Sequence, residues 1–328
     1  MKNILVTGGA GYIGSHITEL FLKKKFNVIV VDNLSSGFKK LINKKSKFYK
    51  LDIKNESKLR KIINLNKIDT IIHLAGSISI NDSDKNPNKF YNNNVNGTKH
   101  LLNACSKSLV KNFVFSSTAA VYADTFNNVK EASEVRPKSV YGKTKKIAEN
   151  IIKNRLTEQK INFAILRYFN VVGASPSNNI GPLKKNDTLF KNISSSLFKK
   201  KSIINVYGNN FETKDFTCIR DYIHVTDLSL AHLQILKSIE KNKKSIILNC
   251  GYGKGISVLE VINAFTKISK KKIKIIIKKK RTGDLAISIA DIKRLKETIR
   301  WKPKYNNISK IVKSCLKWEK KLTKKFQT

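Results

Sequence analysis

Short apolar runs alternate with longer segments of helical pattern over the first half of the chain. The runs are ILV (4–6), VIVV (28–31), FYKL (48–51), TIIHLA (70–75), FVFSS (113–117) and FAILRYF (163–169). Each is too short for a helix and predicts a buried strand. Strands that alternate with helices predict a parallel sheet that is covered by helices on both faces.

The pattern changes near residue 171. The segment VVGASPSNNIGP is rich in turn-forming residues, and a polar helix candidate at 186–199 and short strands and helices follow it. This change predicts two domains, 1–170 and 171–328, with segments near 217–238 returning to the first. We find no internal repeat or low-complexity linker, so the two domains are expected to share one cleft.

Three glycines follow the first strand run at a spacing of three: Gly8, Gly11 and Gly14 in TGGAGYIGSH. A glycine-rich turn between a strand and a helix lets backbone N–H groups approach a pyrophosphate, and the helix N-terminus adds partial positive charge. A tight turn without any ligand requires the same residues, so the glycines alone do not decide between the two interpretations.

Two acidic residues after the following strand runs favour the nucleotide interpretation. Asp32 ends the second run, where a carboxylate accepts hydrogen bonds from an adenosine ribose. A carboxylate repels a 2′-phosphate, so NAD is favoured over NADP. Asp52, after the third run, is a candidate for bonding the adenine amino group. The alternative for both residues is a structural role in a turn.

The formal net charge of +42 comes mainly from lysines, which occur along the whole chain. A confined basic patch would indicate a nucleic-acid partner. No such stripe is present, and arginine, which binds phosphates bidentately, is scarce. This composition is typical of an A/T-rich coding bias on solvated faces, so we expect no nucleic-acid partner. The lysine run at 270–280 alternates with isoleucines and predicts a strand with a solvated face.

The four cysteines include no C-x-x-C pair, which predicts neither a zinc site nor a disulfide framework and fits a reducing cytoplasm. No run approaches the roughly 18 apolar residues of a membrane helix. The first strand run begins at Ile4 and leaves no room for a signal peptide. We therefore expect an unprocessed cytoplasmic protein with no metal and no membrane partner.

Tyr141 and Lys145 in YGKTK are four residues apart and share one face if this segment is helical. An ammonium group near a phenol lowers the phenol pKa from about 10 toward that of a general base. Ser116, Ser117 and Thr118 end a strand run and place hydroxyls at the carboxyl end of the sheet, where ligands bind. Together these residues predict a catalytic crevice.

Nine motifs resemble those of the UDP-glucose 4-epimerases, within the extended short-chain dehydrogenase/reductase family: TGGAGYIGSH, VVDNLSSG, HLAG, NNVNGT, FSSTAAVY, YGKTK, RYFNVVGA, RDYIHVTDL and RTGDLA. They run in order across nearly the whole chain. The resemblance implies an α/β fold with a Rossmann-type doubly wound parallel sheet that holds NAD, and a smaller C-terminal α/β domain that binds a UDP-sugar. A homodimer is also expected.

The resemblance assigns the chemistry to three residues. Tyr141 takes the proton of the sugar 4-hydroxyl, Lys145 bonds the nicotinamide ribose and holds down the tyrosine pKa, and Thr118 bonds the same sugar oxygen. The sugar is oxidised at C4, turns about its diphosphate and is reduced on the other face. The NAD-binding residues implied are Gly8, Gly11, Tyr12, Ile13, Gly14, Asp32, Asn33, Asp52, Ile53, Leu74, Ala75, Gly76, Asn93, Tyr141, Lys145 and Tyr168.

A second set of residues is implied for the UDP-sugar, and charge-assisted arginine contacts suit its diphosphate. These residues are Thr118, Tyr141, Asn170, Arg220, Arg281, Asp284 and Ser288. Arg281 abuts a lysine run, so a solvated charge is its alternative role. The chain departs from the family pattern at Ile78, where a lysine is common, and at Asp187-Thr188-Leu189, where an asparagine- or histidine-leucine pair is common.

Ser288 bears on which hexoses are accepted. By the resemblance it forms a wall of the sugar pocket, where members restricted to plain sugars tend to carry tyrosine. An acetamido group needs several more heavy atoms of space than a hydroxyl. Serine therefore predicts turnover of UDP-N-acetylglucosamine and UDP-N-acetylgalactosamine as well, unless Ser288 faces elsewhere.

Other functions on the same scaffold are a dehydratase, a decarboxylase or a reductase. A 4,6-dehydratase is expected to carry an acid pair after the serine-threonine run, where this chain has Ala119 and Ala120. The non-enzyme alternative, an NAD-binding sensor or RNA-associated protein, is suggested only by charge. It does not require Tyr141 and Lys145 in register with the hydroxyls.

Overall fold

Parallel strands form the centre of the structure, a computed structural model that describes residues 2–123, 128–183, 188–281 and 283–325. The strands are β1 (Asn3–Thr7), β2 (Asn27–Asp32), β3 (Lys47–Lys50), β4 (Thr70–His73), β5 (Asn112–Thr118), β6 (Asn162–Tyr168), β7 (Asn170–Val172), β8 (Ile203–Tyr207), β9 (Ile219–His224), β10 (Ile246–Cys250), β11 (Gly255–Ser257), β12 (Lys274–Lys278) and β13 (Ile287–Ser288). Each of the six predicted strand runs overlaps one of β1 to β6.

Helices lie between most of these strands. They are α1 (Tyr12–Lys23), α2 (Glu56–Leu65), α3 (Ile80–Lys85), α4 (Pro87–Phe90), α5 (Gly97–Cys105), α6 (Val140–Glu158), α7 (Leu189–Ser196), α8 (Val225–Asn242), α9 (Val258–Ser269), α10 (Lys293–Thr298) and α11 (Ile308–Lys325). Residues Tyr91–Asn96, between α4 and α5, form a π-helical turn. Within the described residues, we find no helix with the length and apolar character needed to span a membrane.

Seven parallel strands pair in the order β10-β6-β5-β4-β1-β2-β3. The chain order reverses between β1 and β4, and in such sheets a ligand crevice opens at the carboxyl ends of the strands beside that reversal. Thr7 and His73, which end these two strands, are paired there. The predicted α/β fold with a Rossmann-type parallel sheet is confirmed.

Apolar side chains enclose both faces of this sheet. Ile4 and Val6 of β1 pack in one layer with residues of α1 and α8, and Leu5 packs in the other with residues of α2, α5 and α6. Because both faces are buried, the strands carry continuous apolar runs instead of an alternating pattern. This burial fixes α6 against β5 and β6, which matters for the site below.

A smaller sheet follows in the C-terminal part. Strand β9 lies between β11 and β13 and also pairs with β7, whereas β8 and β12 form a two-stranded parallel ribbon. Helices α7, α9 and α11 pack around a separate apolar cluster that includes Phe190, Phe265 and Val312. The predicted lysine-rich strand is confirmed as β12. The predicted helix at 186–199 contains α7, and its residues 186 and 187 lie outside the described residues.

The chain passes between the two parts more than once. Strand β9 pairs in the smaller sheet, the helix α8 that follows it packs on the large sheet beside α1, and β10 is an edge strand of the large sheet. The segment near 217–238 therefore contributes to both parts. The predicted domain limits, 1–170 and 171–328, stay predictions.

Candidate active site

The three glycines after β1 bring the strand end, the start of α1 and the loop after β4 into close approach. Gly8 has a φ of +72°, and a Cβ there would lie 2.7 Å from the backbone nitrogen of Ala75. A Cβ on Gly14 would lie 2.3 Å from the Gly8 carbonyl oxygen. Gly11 is the N-cap of α1 and supplies no side-chain cap for the first-turn N–H groups. Those groups are therefore placed to bind a pyrophosphate.

Asp32 ends β2 beside this turn, and its carboxylate is buried. Oδ2 accepts a hydrogen bond from the Ala10 N–H at 3.0 Å, and Oδ1 accepts one from the Leu34 N–H at 2.8 Å. Burial raises the pKa of Asp32 above its usual range, against the effect of these hydrogen bonds. Each oxygen keeps a further lone pair, so the carboxylate caps the turn and can also accept ribose hydroxyls. Its part in NAD binding stays a prediction.

Below the crevice, hydrogen bonds through His73 join β1, β4 and α5. Thr98 donates its hydroxyl to the Asn94 carbonyl at 2.6 Å, so it accepts from His73 Nε2 at 3.1 Å, and His73 Nδ1 accepts from the Thr7 hydroxyl at 2.7 Å. Burial, with a smaller effect from Lys145, lowers the pKa of His73 to about 3. The ring is therefore neutral at pH 7 and serves the framework.

The π-helical turn Tyr91–Asn96 directs two asparagines toward the loop after β4. Asn93, predicted to line the cofactor, donates to the Ser77 hydroxyl at 2.9 Å. Asn94 accepts from the Ser77 N–H at 2.7 Å and donates to the Thr144 hydroxyl on α6 at 3.0 Å. Sequence reasoning missed Asn94, because a run of asparagines does not reveal which member a π-helical turn buries.

Tyr141 and Lys145 lie on the buried face of α6, as the four-residue spacing predicts, with exposed fractions of 9 % and 4 %. The Tyr141 hydroxyl interacts with the side chain of Thr118, the last residue of β5. Lys145 Nζ lies 4.5 Å from the ring centroid of Phe115 on the same strand. The structure therefore brings the three predicted catalytic side chains to one edge of the sheet, and their roles stay predictions.

Burial controls the pKa values of this pair. It raises the pKa of Tyr141 to about 12, although the interaction with the Thr118 side chain acts in the opposite direction. It lowers the pKa of Lys145 to about 7, although the negative charge of Glu149 opposes this. The outcome differs from the expectation that the lysine lowers the tyrosine pKa, because desolvation outweighs the side-chain interactions. A further positive charge beside the phenol would act in the direction that a base requires.

Three predicted substrate residues lie on the smaller sheet, and Arg281 and Asp284 lie between β12 and β13. Ser288 of β13 is paired with Arg220 of β9, and Asn170 of β7 is paired with Tyr222 of β9. The Arg220 guanidinium donates to the carbonyl of Leu285 at 2.8 Å. This contact ties β9 to the segment that leads from the RTGD motif to β13.

Arg281 and Asp284 bind each other. Arg281 Nε and Nη2 donate to the two carboxylate oxygens of Asp284 at 2.8 and 3.2 Å, and the guanidinium lies 5.0 Å from the ring centroid of Tyr207. The arginine side chain is 45 % exposed. Arg281 is therefore accessible, and a ligand that binds Nε or Nη2 competes with Asp284 for those donors.

Two predicted tyrosines make contacts across the molecule. The Tyr12 hydroxyl donates to the Gly173 carbonyl at 2.6 Å, which joins the glycine turn to the chain after β7. The Tyr168 hydroxyl lies 2.6 Å from His232 Nε2. His232 Nδ1 lies 2.8 Å from the Leu228 carbonyl and must donate to it, so Tyr168 is the donor in its pair.

The other predicted cofactor residues lie around the strand ends. Asn33 donates to Asp52 Oδ2 at 3.0 Å. Ile53 packs so closely on Gly97 that a Cβ there would lie 2.8 Å from its Cδ1. Ile78, where the family pattern has a lysine, is exposed. Four residues adjoin the glycine turn or the loop after β4: Ile13, Leu74, Ala75 and Gly76.

A parallel sheet with a glycine turn at its reversal point and a buried Tyr-Lys helix defines a dinucleotide-binding α/β protein. The profile of the NAD dependent epimerase/dehydratase family matches residues 4–251, and the chain belongs to that family. The predicted family resemblance and the predicted dependence on NAD are confirmed.

Known relatives match almost the full length. A UDP-glucose 4-epimerase of Azospirillum brasilense is 35% identical over 321 residues, which cover 97% of this chain and 92% of that protein. The solved UDP-glucose 4-epimerase of Stenotrophomonas maltophila, with bound NAD and formylated UDP-arabinopyranose, has a TM-score of 0.94 at 31% identity and covers 99% and 100% of the two chains. The UDP-Glc/GlcNAc 4-epimerase of Campylobacter jejuni has a TM-score of 0.84 at 37% identity, with 98% and 100% covered.

Proposed function

We propose that the protein interconverts UDP-galactose and UDP-glucose by transient oxidation at C4 with NAD. The observation that carries the proposal is the contact of Tyr141 with Thr118 at the carboxyl edge of the sheet, with Lys145 one helical turn away. The full-length relatives that bear the name UDP-glucose 4-epimerase support it. Dehydration is disfavoured because Ala119 and Ala120 supply no acid after Thr118.

The chain fits NAD at two points. The glycine turn leaves no room for a Cβ at Gly8 or Gly14 and presents N–H groups for the pyrophosphate. Asp32 keeps lone pairs for the adenosine ribose and would repel a 2′-phosphate. When bound, NAD supplies the reversible oxidation of the sugar carbon.

Tyr141 and the side chains around it then transfer one proton between the sugar and the phenol. Tyr141, as phenolate, accepts the proton of the sugar 4-hydroxyl and returns it to the same oxygen after the sugar has turned. Thr118 bonds that oxygen and thereby holds it within reach of the phenol. Lys145, as ammonium, bonds the nicotinamide ribose and stabilises the phenolate.

The smaller sheet is proposed to hold the nucleotide and leave the hexose free to turn. Arg220 and Arg281 are the cations for the diphosphate, and Asn170 and Asp284 are neighbouring polar contacts. A tight grip on UDP with few contacts to the hexose suits a reaction in which both faces of the sugar must be presented in turn.

We further propose that N-acetylated substrates are accepted. Ser288 is small and is paired with Arg220, on the sheet assigned to the nucleotide, and one structural relative is named a UDP-Glc/GlcNAc 4-epimerase. Ser288→Tyr is expected to abolish turnover of UDP-N-acetylglucosamine and to spare UDP-glucose, because the ring fills the acetamido space. A wild type without acetylated turnover contradicts the idea.

A homodimer in the cytoplasm is the assembly and location proposed. Sedimentation at micromolar concentration tests the first, with a mass of twice the 37.2 kDa chain as the expected result. A monomer at all concentrations contradicts it.

Incubation of the purified protein with UDP-galactose and no added NAD tests the main proposal. UDP-glucose is expected to form, and denaturation is expected to release NAD. If no UDP-glucose forms, with or without added NAD, the epimerase proposal fails.

A further inference from the structure

A buried carboxylate on α6 makes no contact with substrate or cofactor in the chemistry proposed above. Glu149 lies four residues beyond Lys145 and eight beyond Tyr141, so the three share one face of the helix. Its exposed fraction is 0 %. Burial of a carboxylate is costly unless the charge is paired and hydrogen-bonded. The groups that bind Glu149 therefore indicate its role.

Glu149 is held by two adjacent strands of the large sheet. Ser117 donates its hydroxyl to Oε1 at 2.5 Å, and Arg167 donates Nε to Oε1 at 3.0 Å and Nη2 to Oε2 at 2.7 Å. Arg167 is itself fixed, because Nη1 donates to the Tyr122 hydroxyl at 2.9 Å and to the Glu131 carbonyl at 3.2 Å. Every nitrogen of the guanidinium and both carboxylate oxygens therefore have a hydrogen-bond partner.

The strand register places this contact next to the reacting groups. Ser117 is paired with Arg167 on β5 and β6, and in the following row Thr118 is paired with Tyr168. Glu149 therefore binds the row of paired residues Ser117 and Arg167, which directly precedes the row of Thr118. A shift of α6 along or around its axis therefore strains the three hydrogen bonds to Glu149.

Stability alone does not account for such an ion pair. Replacing a buried pair by apolar side chains of similar volume is often neutral or stabilising, because two charges must be desolvated to form it. What the pair does supply is direction, since three hydrogen bonds of fixed geometry allow one placement of the helix. Reacting groups displaced by about 1 Å can cost on the order of 10²-fold in rate.

We propose that Glu149, held by Arg167 and Ser117, is a positioning residue that sets α6 against β5 and β6 so that Tyr141 and Lys145 meet the sugar oxygen beside Thr118. The inference rests on the proposed epimerase function. It assigns to Glu149 no contact with substrate or cofactor.

Glu149→Gln is the first test, because it keeps the size of the side chain and changes its donors. In either orientation the amide N–H₂ replaces one oxygen that accepts from Arg167, so one guanidinium donor loses its partner. With UDP-galactose as substrate, kcat is expected to fall about 10- to 100-fold while KM stays within about twofold, as for a lost transition-state alignment. Ser117→Ala removes one bond and is expected to lower kcat about three- to tenfold.

The double variant Glu149→Leu/Arg167→Met separates positioning from stability. It removes both charges, so the Tm of the double variant is expected to lie near the wild-type value. Under the proposal kcat stays low, since leucine and methionine make no directional bonds. Recovery of kcat together with Tm contradicts the proposal.

Asp227→Asn is the matched control. Asp227 is also a fully buried carboxylate, and it accepts from the Tyr252 hydroxyl at 2.6 Å and from the backbone N–H groups of Lys304 and Tyr305. Its loss is expected to lower Tm and leave kcat unchanged.

Three results bear on the inference. An active wild type with Glu149→Gln within twofold of it in kcat overturns the inference alone. If Glu149→Gln does not fold, Ser117→Ala provides the test instead. An unchanged kcat of Ser117→Ala overturns the inference, and a lowered kcat at constant KM supports it. A wild type that converts no UDP-galactose overturns the proposed function and this inference with it.

Discussion

The crevice at the ends of the large sheet and the sugar-nucleotide end on the smaller sheet hold their polar groups in different ways. In the crevice Tyr141 and Lys145 are almost fully buried, and their neighbours are bonded across several elements. At the other end Arg281 is half-exposed and bonds Asp284, three residues away. The crevice is held by tertiary contacts, whereas the side chain of Arg281 is held by a local contact.

The difference matches what the proposed reaction asks of each end. Proton transfer needs atoms held within tenths of an ångström, which buried bonds with single geometries provide. Capture of a diphosphate needs charges that can be reached from solvent and can exchange partners, which an exposed arginine provides. Variants at the two ends should therefore differ in kind: crevice variants should change kcat, and variants of the nucleotide end should change KM.

Tyr141→Phe is expected to have the largest effect. Loss of the phenol removes the proposed base, so kcat for UDP-galactose should fall by at least about 100-fold while KM stays within about twofold. Tyr49→Phe, on β3 away from the crevice, is the control and should keep wild-type kinetics. Near-normal turnover by Tyr141→Phe refutes the base and removes the contrast between the two ends.

Arg281→Ala should act in the opposite sense. A charge-assisted hydrogen bond contributes about 1.5–3 kcal/mol, which corresponds to an increase in KM of about 10- to 100-fold. The change in kcat should be small. Arg294→Ala removes another exposed arginine, on α10, and should change neither constant. If Arg281→Ala changes kcat alone, the arginine belongs with the chemistry and the two ends are not distinct in kind.

The sequence predicted the local parts of the crevice. Apolar runs and glycine spacing are short-range patterns, and they identified β1 to β6 and the turn at Gly8. The spacing of Tyr141 and Lys145 gave their shared helix face. The bond from Glu149 to Arg167 joins residues that only the packing of α6 on β6 brings together, so no motif spacing announced it.

The electrostatics of the crevice also escaped the sequence. Adjacency to a lysine predicted a lowered tyrosine pKa, whereas burial raises the pKa of Tyr141 to about 12. Desolvation depends on every atom around the phenol and has no signature in the spacing of two residues. The spacing of residues also does not reveal the hydrogen-bond partner of Arg220, because the Leu285 carbonyl is 65 residues away in the chain.

Asp32→Ala tests whether the part of the crevice proposed to bind the adenosine ribose of NAD is as preformed as the part around Tyr141. The variant loses the acceptors for Ala10 and Leu34 as well as those for ribose, and NAD affinity should fall by about tenfold or more. The readout is the fraction of protein that retains NAD after purification. Asp291→Ala, which removes a comparable loop cap before α10, should retain the full amount. Full retention by Asp32→Ala would make the residue a turn cap only.

The smallest expected effect concerns the cost of burying Lys145. Burial lowers the pKa of Lys145 from 10.5 to about 7, so between pH 7 and 9 the unfolded chain holds a proton on this lysine that the folded chain largely lacks. Stability rises with pH wherever the unfolded state binds more protons. The free energy of unfolding of the wild type, relative to Lys145→Met, should therefore rise from pH 7 to 9, by up to about 1 kcal/mol per pH unit.

Denaturant unfolding of the nucleotide-free protein measures this change. Lys143→Met is the matched control, because Lys143 lies on the same turn of α6 with its side chain exposed. Its replacement should leave the pH dependence of unfolding as in the wild type. If the difference in the free energy of unfolding between wild type and Lys145→Met stays constant over pH 7 to 9, Lys145 is as well solvated as the exposed Arg281. The crevice would then lack the desolvation that separates it from the exposed end.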